Sequence, residues 1–454
     1  MLTTNSGEPR KLEFTAKLIK VRGSGNLPTK KTTINLTSVI GGEMLLRAAN
    51  FAAAAVIGRL YGVVVFGTYA TILAFVTVVE RLSDNGLEVA GIAQTSKQPE
   101  RTGEILGSLY TLKTFLSFLV LTVLVCIGLA SGLSSSVWVL ATILTLRTFL
   151  YSYCRLQAGI IKSWDKMPAI GTIQAMHFGV LACGLSIIYI RHYSLASLLL
   201  LLLTGQSLEF LLSFFYLRRL GIRPRMMGIT AYCRMIRSST PIGITYTAAA
   251  MILRGDVIIL SLLVPATVLG SFAAANTGLV TVYVVAWLFG GVILSRMAQL
   301  AKDSTLLSSY VRKWVLVILA TATPISLLAA WVAPSLVSML FGRPFAIAAS
   351  SAAIMALAVP FILLNAVFLS RAIAREASFE YLGIFLGVGV ISVTLDFVLG
   401  RAYGANGVAW AIALRELIMS LAFVSCAVWD KEQTSTSVIP AAAHVIELAE
   451  TIEA

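Results

Sequence analysis

The residues of this chain that could do chemistry are ionisable groups set inside long apolar runs. In the first run Glu43, Arg47 and Asn50 fall within about 60° of one another on a helix of 3.6 residues per turn, so they make one polar stripe. Glu43 and Arg47 are also an i, i+4 pair in the favourable order, and the stripe reads either as the lining of a polar pathway or as a self-neutralised pair. In the fourth run Arg147, Tyr151 and Arg155 share a face by i, i+4, i+8 spacing, with Arg155 near enough to the end to snorkel to the interface. Thr240, Thr247, Arg254 and Ser261 recur every seven residues along the seventh run, Asp256 lies on another of its faces, and Arg415-Glu416 sits near the middle of the last run.

Such groups cost about 2.5–3.5 kcal/mol each at membrane depth, so they persist beside a cavity or a partner. Glu80, Asp84 and Glu88 step along the end of the second run and Asp396 lies in the eleventh. Each could accept a proton or a sodium ion, although the second-run acids, beside Arg81, also fit an interfacial position. His177, alone in the fifth run, reads as a packed histidine, and the five dispersed cysteines Cys126, Cys154, Cys183, Cys233 and Cys426 read as small packers, not as disulfides or metal ligands. No catalytic constellation is visible: there is no Walker loop, HExxH, GxSxG or Cys–His spacing. No long loop offers room for a transferase or polymerase site. The pattern points to passage of a solute, with no catalytic residue and no metal expected.

The elements that must position these groups are membrane helices. Of the 454 residues 58% are hydrophobic and 12% charged, and the mean hydropathy is +0.87, outside the range of soluble globular chains. Runs of about 20 apolar residues, enough to cross a hydrocarbon core, are read at 34–57, 64–88, 105–129, 137–160, 168–190, 195–217, 240–263, 270–298, 314–340, 346–370, 379–399 and 407–428. The formal charge of +14 does not indicate nucleic acid. Lys and Arg crowd the amino-terminal tail and the even-numbered junctions, whereas the odd-numbered junctions hold Arg59, Arg191, Arg343 and Arg401, the positive-inside distribution. It places both termini on the cytoplasmic side and asks for an even number of helices. The first run starts near Ile34, is too long for a signal h-region and lacks a small-residue cleavage site, so it is expected to stay in the mature protein.

An internal repeat divides the chain. Met44-Leu45-Leu46-Arg47 returns as Met251-Ile252-Leu253-Arg254, and Phe66-Gly67-Thr68-Tyr69-Ala70 as Leu269-Gly270-Ser271-Phe272-Ala273, in the same order and at similar offsets. The expected organisation is a basic cytoplasmic tail (1–33), a lobe of helices 1–6 (34–217), a basic linker (218–239), a lobe of helices 7–12 (240–428) and a cytoplasmic tail (429–454). Both lobes start on the same side, so their axis runs along the membrane normal. In the linker Met226, Met227, Ile229, Tyr232 and Met235 are interleaved with arginines, which suits an amphipathic helix on an anionic leaflet or a plain orientation anchor.

Gly58-Arg59-Leu60-Tyr61-Gly62, Phe66-Gly67-Thr68-Tyr69-Ala70 and Asp84-Asn85-Gly86-Leu87 together resemble the opening of bacterial polysaccharide transporters. Arg254-Gly255-Asp256, Leu340-Phe341-Gly342-Arg343-Pro344-Phe345 and Tyr403-Gly404-Ala405-Asn406-Gly407-Val408-Ala409 continue the likeness over about residues 34–428. Val63-Val64-Val65 stands where that family has an acidic or proline pair. The resemblance implies an all-α integral membrane protein of about 12 transmembrane helices, two pseudo-symmetric six-helix lobes around a central cavity, in the multidrug/oligosaccharidyl-lipid/polysaccharide exporter superfamily. It implies a flippase in the bacterial inner membrane that moves undecaprenyl-pyrophosphate-linked oligosaccharide to the outer leaflet, with membrane lipids, a polysaccharide polymerase and chain-length machinery as partners. Arg47, Arg147, Arg254 and Arg415 would then hold the pyrophosphate, guanidinium being suited to bidentate phosphate recognition. A carboxylate among Glu43, Asp84 and Asp256 would carry any coupled Na+ or H+, the one cofactor-like requirement. Two alternatives stay open: a cation-coupled multidrug exporter of the same architecture, and a membrane-embedded glycan polymerase or ligase.

Overall fold

The structure, a computed structural model, describes residues 30–130, 134–225, 229–301, 303–375 and 378–450. Residues 1–29 of the expected basic tail, 226–228 of the expected linker and 451–454 of the carboxyl tail lie outside the described residues. Among the described residues the long elements are all α-helices. They are α1 (Lys30–Asp84), α2 (Leu87–Lys97), α3 (Thr102–Ala130), α4 (Ser135–Ser163), α5 (Met167–Arg191), α6 (Leu195–Arg219), α7 (Ile229–Leu263), α8 (Ala266–Leu300), α9 (Ser304–Phe341), α10 (Ala348–Ala356), α11 (Val359–Ala374) and α12 (Ser378–Glu450).

Among the described residues nine helices are long and apolar enough to cross a membrane, and the pair α10–α11, bent by 41°, makes a tenth span. Two of the nine are too long for one crossing. The apolar stretch Thr37–Asp84 of α1 has 48 residues and Gly383–Cys426 of α12 has 44; unbroken, each would reach about 65–70 Å against a core of about 30 Å. Each is broken at a glycine with positive φ, Gly62 (φ 84°) and Gly404 (φ 58°), a conformation that L side chains seldom adopt. The chain reverses there. Phe51 and Phe66 both pack on Phe341, with ring centroids 6.2 and 5.5 Å away, although a straight helix would set them about 22 Å apart. Likewise Arg415 Nη1 donates to Ser392 Oγ at 3.2 Å across the Gly404 break. Counted at these turns the described residues make twelve spans, as the apolar runs predict.

Two boundaries differ from expectation. The seventh span starts at Ile229, so residues 229–239, read as linker, are its first three turns; a helix crossing the interface keeps its hydrogen bonds where hydropathy has no signal. The second span stops at Asp84, where Asn85 (φ 44°) and Gly86 (φ 73°) turn the chain into α2.

The repeat is built into the packing. A Cβ on Gly67 would lie 2.5 Å from Ala266 O and 3.0 Å from Gly270 N, and a Cβ on Gly270 would lie 2.0 Å from Val63 O. Two residues in matched positions of the two halves therefore touch each other, which happens where a two-fold axis passes. Around this end a single apolar core is drawn from both halves, including Phe66, Leu144, Leu198, Phe272, Phe345 and Ile412. Arg59 clasps it by donating to Leu340 O at 2.7 Å and to Met339 O. Toward the other end the core divides: one cluster, around Leu87, Leu109 and Leu156, belongs to the first half with Met235 of α7, and another, around Met297, Val367 and Phe423, to the second. There the halves meet where Asn85 Nδ2 donates to Thr240 Oγ1 at 3.1 Å and Gly86 abuts the Gly243 backbone.

The glycine crossing makes a direct prediction. Gly270→Ala is expected to cost about 1–3 kcal/mol by overpacking and to lower the melting temperature of the purified protein. Gly278→Ala, in open space on the same helix, is expected to be neutral or mildly stabilising; equal melting temperatures for the two would show the crossing to be loose.

Candidate functional site

The first half contributes one connected polar group near the axis. Arg47 donates to Glu43 Oε1 through Nε (3.1 Å) and Nη2 (2.8 Å), and its Nη2 reaches Tyr151 Oη at 3.5 Å. Gln174 Nε2 of α5 donates to Glu43 Oε2 at 3.2 Å. Three residues beyond Arg47, Asn50 accepts from Arg147 Nη2 at 2.5 Å, while Arg147 Nε is buried without a partner. The side chains of Arg47 and Glu43 keep 32% and 22% of their exposure, so the pair is accessible where the core is not. Of the two readings of the stripe the structure shows the pair: Glu43 and Arg47 are bonded to each other and remain partly exposed.

Arg254 completes the group from the second half. It is half-buried and makes no hydrogen bond or ion pair among the described residues, and it lies within Coulombic range of Arg47, Tyr69 and Asp256. The repeat-related arginines thus lie within Coulombic range of each other, and Arg147 is bonded one turn further along the first helix. Two carboxylates answer the three guanidiniums: Glu43 is bonded to Arg47 and Asp256 lies within Coulombic range of Arg254. One positive charge is left in excess, which favours water or an anion nearby.

Arg415 does not join them, which corrects the expectation for that residue. It is 1% exposed and spends its donors on Glu416 Oε1 (3.2 Å), Ile252 O (2.7 Å), Ser392 Oγ (3.2 Å) and Tyr283 Oη (2.9 Å). Tyr283 in turn donates to Glu416 Oε1 at 2.6 Å, and Asn365 Nδ2 to Glu416 Oε2 at 2.9 Å. Asp256 and Asp396 lie within Coulombic range of Arg415. Asp256 Oδ1 accepts from Val257 N at 3.0 Å, and Asp396 Oδ1 is buried without a partner. Asp256, expected to carry an ion, therefore sits among three carboxylates around one arginine, on the side of Arg415 toward Arg254.

The acids of the second span are buried inside the protein. Glu80 and Asp84 are 2% and 3% exposed. Asp84, expected among the ion carriers, is paired with Lys113 of α3, itself 0% exposed, so its charge is matched here by a buried ammonium. Arg155 does not snorkel; it bridges Glu80 (3.2 Å) and Glu88 (3.1 Å), and Ser152 Oγ donates to Glu80. His177 is not alone either, since its Nδ1 lies 2.8 Å from Glu209 Oε2 of α6. The sequence reading passed over Lys113 and Glu209; each is a charge in mid-run, the same signal that identified Arg147. No group of three or more His, Cys, Asp or Glu among the described residues is placed to hold a metal ion.

Residues 30–301 match the family described as polysaccharide biosynthesis protein. No curated protein matches the chain. Among solved structures the chain is similar to the lipid II flippase MurJ in an inward closed conformation, with a TM-score of 0.70 at 13% identity over 85% of this chain and 86% of that one. It is similar to a multidrug resistance MATE family transporter in an inward-facing conformation (TM-score 0.67, 12% identity, 86% and 94% covered). A MATE family transporter in an outward-facing conformation matches with a TM-score of 0.55 at 13% identity over 96% and 99%. At these identities the likeness is one of fold, and it includes two lobes of six helices.

The Asp84–Lys113 pair gives the second prediction. Lys113→Ala leaves a buried carboxylate uncompensated and is expected to destabilise by about 3–5 kcal/mol, whereas the double change Asp84→Leu, Lys113→Met is expected to recover most of that loss. Thermal unfolding of the purified variants measures it, and a double variant as unstable as the single would assign the pair a further role.

Proposed function

We infer the function from one premise: the chain belongs to the polysaccharide biosynthesis protein family. It is a multi-pass membrane transporter, and we propose that it flips an undecaprenyl-pyrophosphate-linked oligosaccharide from the cytoplasmic to the outer leaflet of a bacterial inner membrane. Both termini are cytoplasmic in this reading, because Lys and Arg concentrate at the Asn85 end of the bundle. The end carrying Gly62, where the two halves share one apolar core, then faces outward.

The observation that carries the proposal is the set of three arginines, Arg47, Arg147 and Arg254, with only two carboxylates, Glu43 and Asp256, to answer them. A pyrophosphate brings two or more negative charges and oxygens in the geometry that a guanidinium fork matches. The site binds it by replacing Glu43 on Arg47 and by filling the open donors of Arg147 and Arg254. The same excess of cations disfavours a cationic drug, so the multidrug reading is the weaker one. The helices then work as two rigid bodies. Separation of the Gly67–Gly270 crossing and the Phe51–Phe66–Phe341–Phe345 cluster exposes the arginines outward, while the contacts of Asn85 with Thr240 and of Gly86 with Gly243 hold the inner end together.

The coupled ion is a proton or Na+, carried at Asp256 with Asp396 and at Glu43. Arg254 lies beside Asp256, so an anion that recruits Arg254 withdraws a counter-charge from these buried acids. A cation or proton restores it. Polymerase and chain-length proteins are the partners expected to take the product.

Arg47→Ala and Arg254→Ala are each expected to lower surface polysaccharide at least tenfold in cells, with the variant protein present in the membrane at normal amount. Arg254→Lys keeps the charge but not the fork and is expected to be intermediate. Normal polymer from either alanine variant would remove that arginine from the site.

A further inference from the structure

One titratable pair has no part in this scheme. His177 is 3% and Glu209 6% exposed, and imidazole Nδ1 and carboxylate Oε2 stand 2.8 Å apart between α5 and α6. The seat is shaped for the ring: a Cβ on Gly205 would come within 2.7 Å of both Cδ2 and Nε2 of His177. Gln206 Nε2 donates to the same Oε2 at 3.0 Å and also lies 3.2 Å from Cys154 Sγ, which fixes the carboxylate from a second direction.

The pair is also wired toward the anion site. Tyr151, from α4, lies within Coulombic range of Glu209, Arg155, Glu43 and Arg47 and accepts from Arg47. Gln174, one turn before His177 on α5, donates to Glu43. The charged and titratable groups facing the pair are thus Cys154, Tyr151 and Arg155 from α4, the helix that packs on α6 together with α5, and Glu43 and Arg47 beyond them. Histidine is the side chain whose charge ordinarily changes between pH 5 and 8. One proton takes this buried pair from a net charge of −1 to neutral.

We propose that His177 and Glu209 form a proton-binding site inside the first lobe whose occupancy is linked to anion capture at Arg47 through Tyr151. The inference rests on the reading that Arg47 receives the pyrophosphate. With the pair unprotonated, Glu209 adds a second negative charge, after Glu43, to the surroundings of Arg47 and disfavours an incoming anion. With the pair protonated that charge is cancelled and the anion binds more tightly, by about tenfold for one charge in a partly desolvated setting. Linkage is reciprocal, so the bound anion must hold the proton more tightly by the same factor.

The test uses the full chain in nanodiscs with undecaprenyl pyrophosphate as probe, its binding measured from pH 5.5 to 8.5. The probe's own titration is common to all variants, so differences between variants carry the result. His177→Gln keeps Glu209 charged and is expected to hold the affinity at the wild-type alkaline limit. Glu209→Gln removes the charge and is expected to hold it at the acid limit, about tenfold tighter. A structural role would weaken both variants alike. In parallel, 15N-histidine spectra of the wild type, assigned by loss of one of the three histidine signals in His177→Gln, are expected to show His177 titrating in this range and shifting when probe is added. Wild-type pH profiles in both variants, or a His177 signal unmoved between pH 5 and 9, overturn the proposal. Arg47→Ala separates it from the underlying reading: unchanged probe affinity in that variant sinks the reading of Arg47, while the His177 spectra still decide whether the proton site exists.

Discussion

A guanidinium keeps its charge at any pH a cell meets, so each arginine folded into an apolar bundle must be given counter-charge or water. The structure answers this demand in two opposite ways. Arg415 is enclosed by Glu416, Ser392, Tyr283 and a backbone carbonyl and wants nothing further. Arg254 has no bonded partner among the described residues and faces Arg47. The first arrangement stabilises a lobe; the second calls for water or an anion beside it, which is what the proposed pyrophosphate site would supply.

The pseudo-two-fold axis explains why the unsatisfied arginines are where they are. Residues that a repeat places close to its axis must approach their own counterparts. Where the repeated residue is glycine, as at Gly67 and Gly270, the approach becomes a tight crossing of backbones. Where it is arginine, as at Arg47 and Arg254, the approach brings like charges together. One symmetry thus yields a dry seal at one level of the bundle and a cationic hollow at another. The division of the apolar core into two clusters toward the Asn85 end follows, since helices that surround charge cannot also share a hydrophobic core.

What could be read from the sequence follows from which forces act along one helix and which act between helices. Twelve spans were legible because lipid demands a fixed length of apolar chain, and the reversal near Gly62 because no helix of that length fits a bilayer. The correspondence of Arg47 with Arg254 was legible because the repeat carries positional information. By contrast, Lys113 finds Asp84 and His177 finds Glu209 on neighbouring helices, and such matches depend on how each helix is rotated about its axis. Spacing within a helix gives the relative angle of its own residues only. That is why the polar stripe of the first span was visible, and the side to which Arg415 turns was not.

The two lobes also differ where the repeat has lost its hold. At the Asn85 end of the first lobe Glu80, Asp84 and Glu88 are met by Arg81, Arg155 and Lys113, three charges against three, so this region is neutral and has every reason to move as one body. In the second lobe Asp256, Asp396 and Glu416 surround a single Arg415, and Asp396 Oδ1 lacks even a hydrogen bond. Three ionised carboxylates cannot stay buried around one cation. The deficit must be met by Arg254, by a proton or by a metal cation, and Arg254 is the candidate that the central anion also attracts. Under the proposed anion site the charge state of this acid-rich cluster depends on where Arg254 turns, whereas the cluster at the Asn85 end of the first lobe is balanced by its own residues.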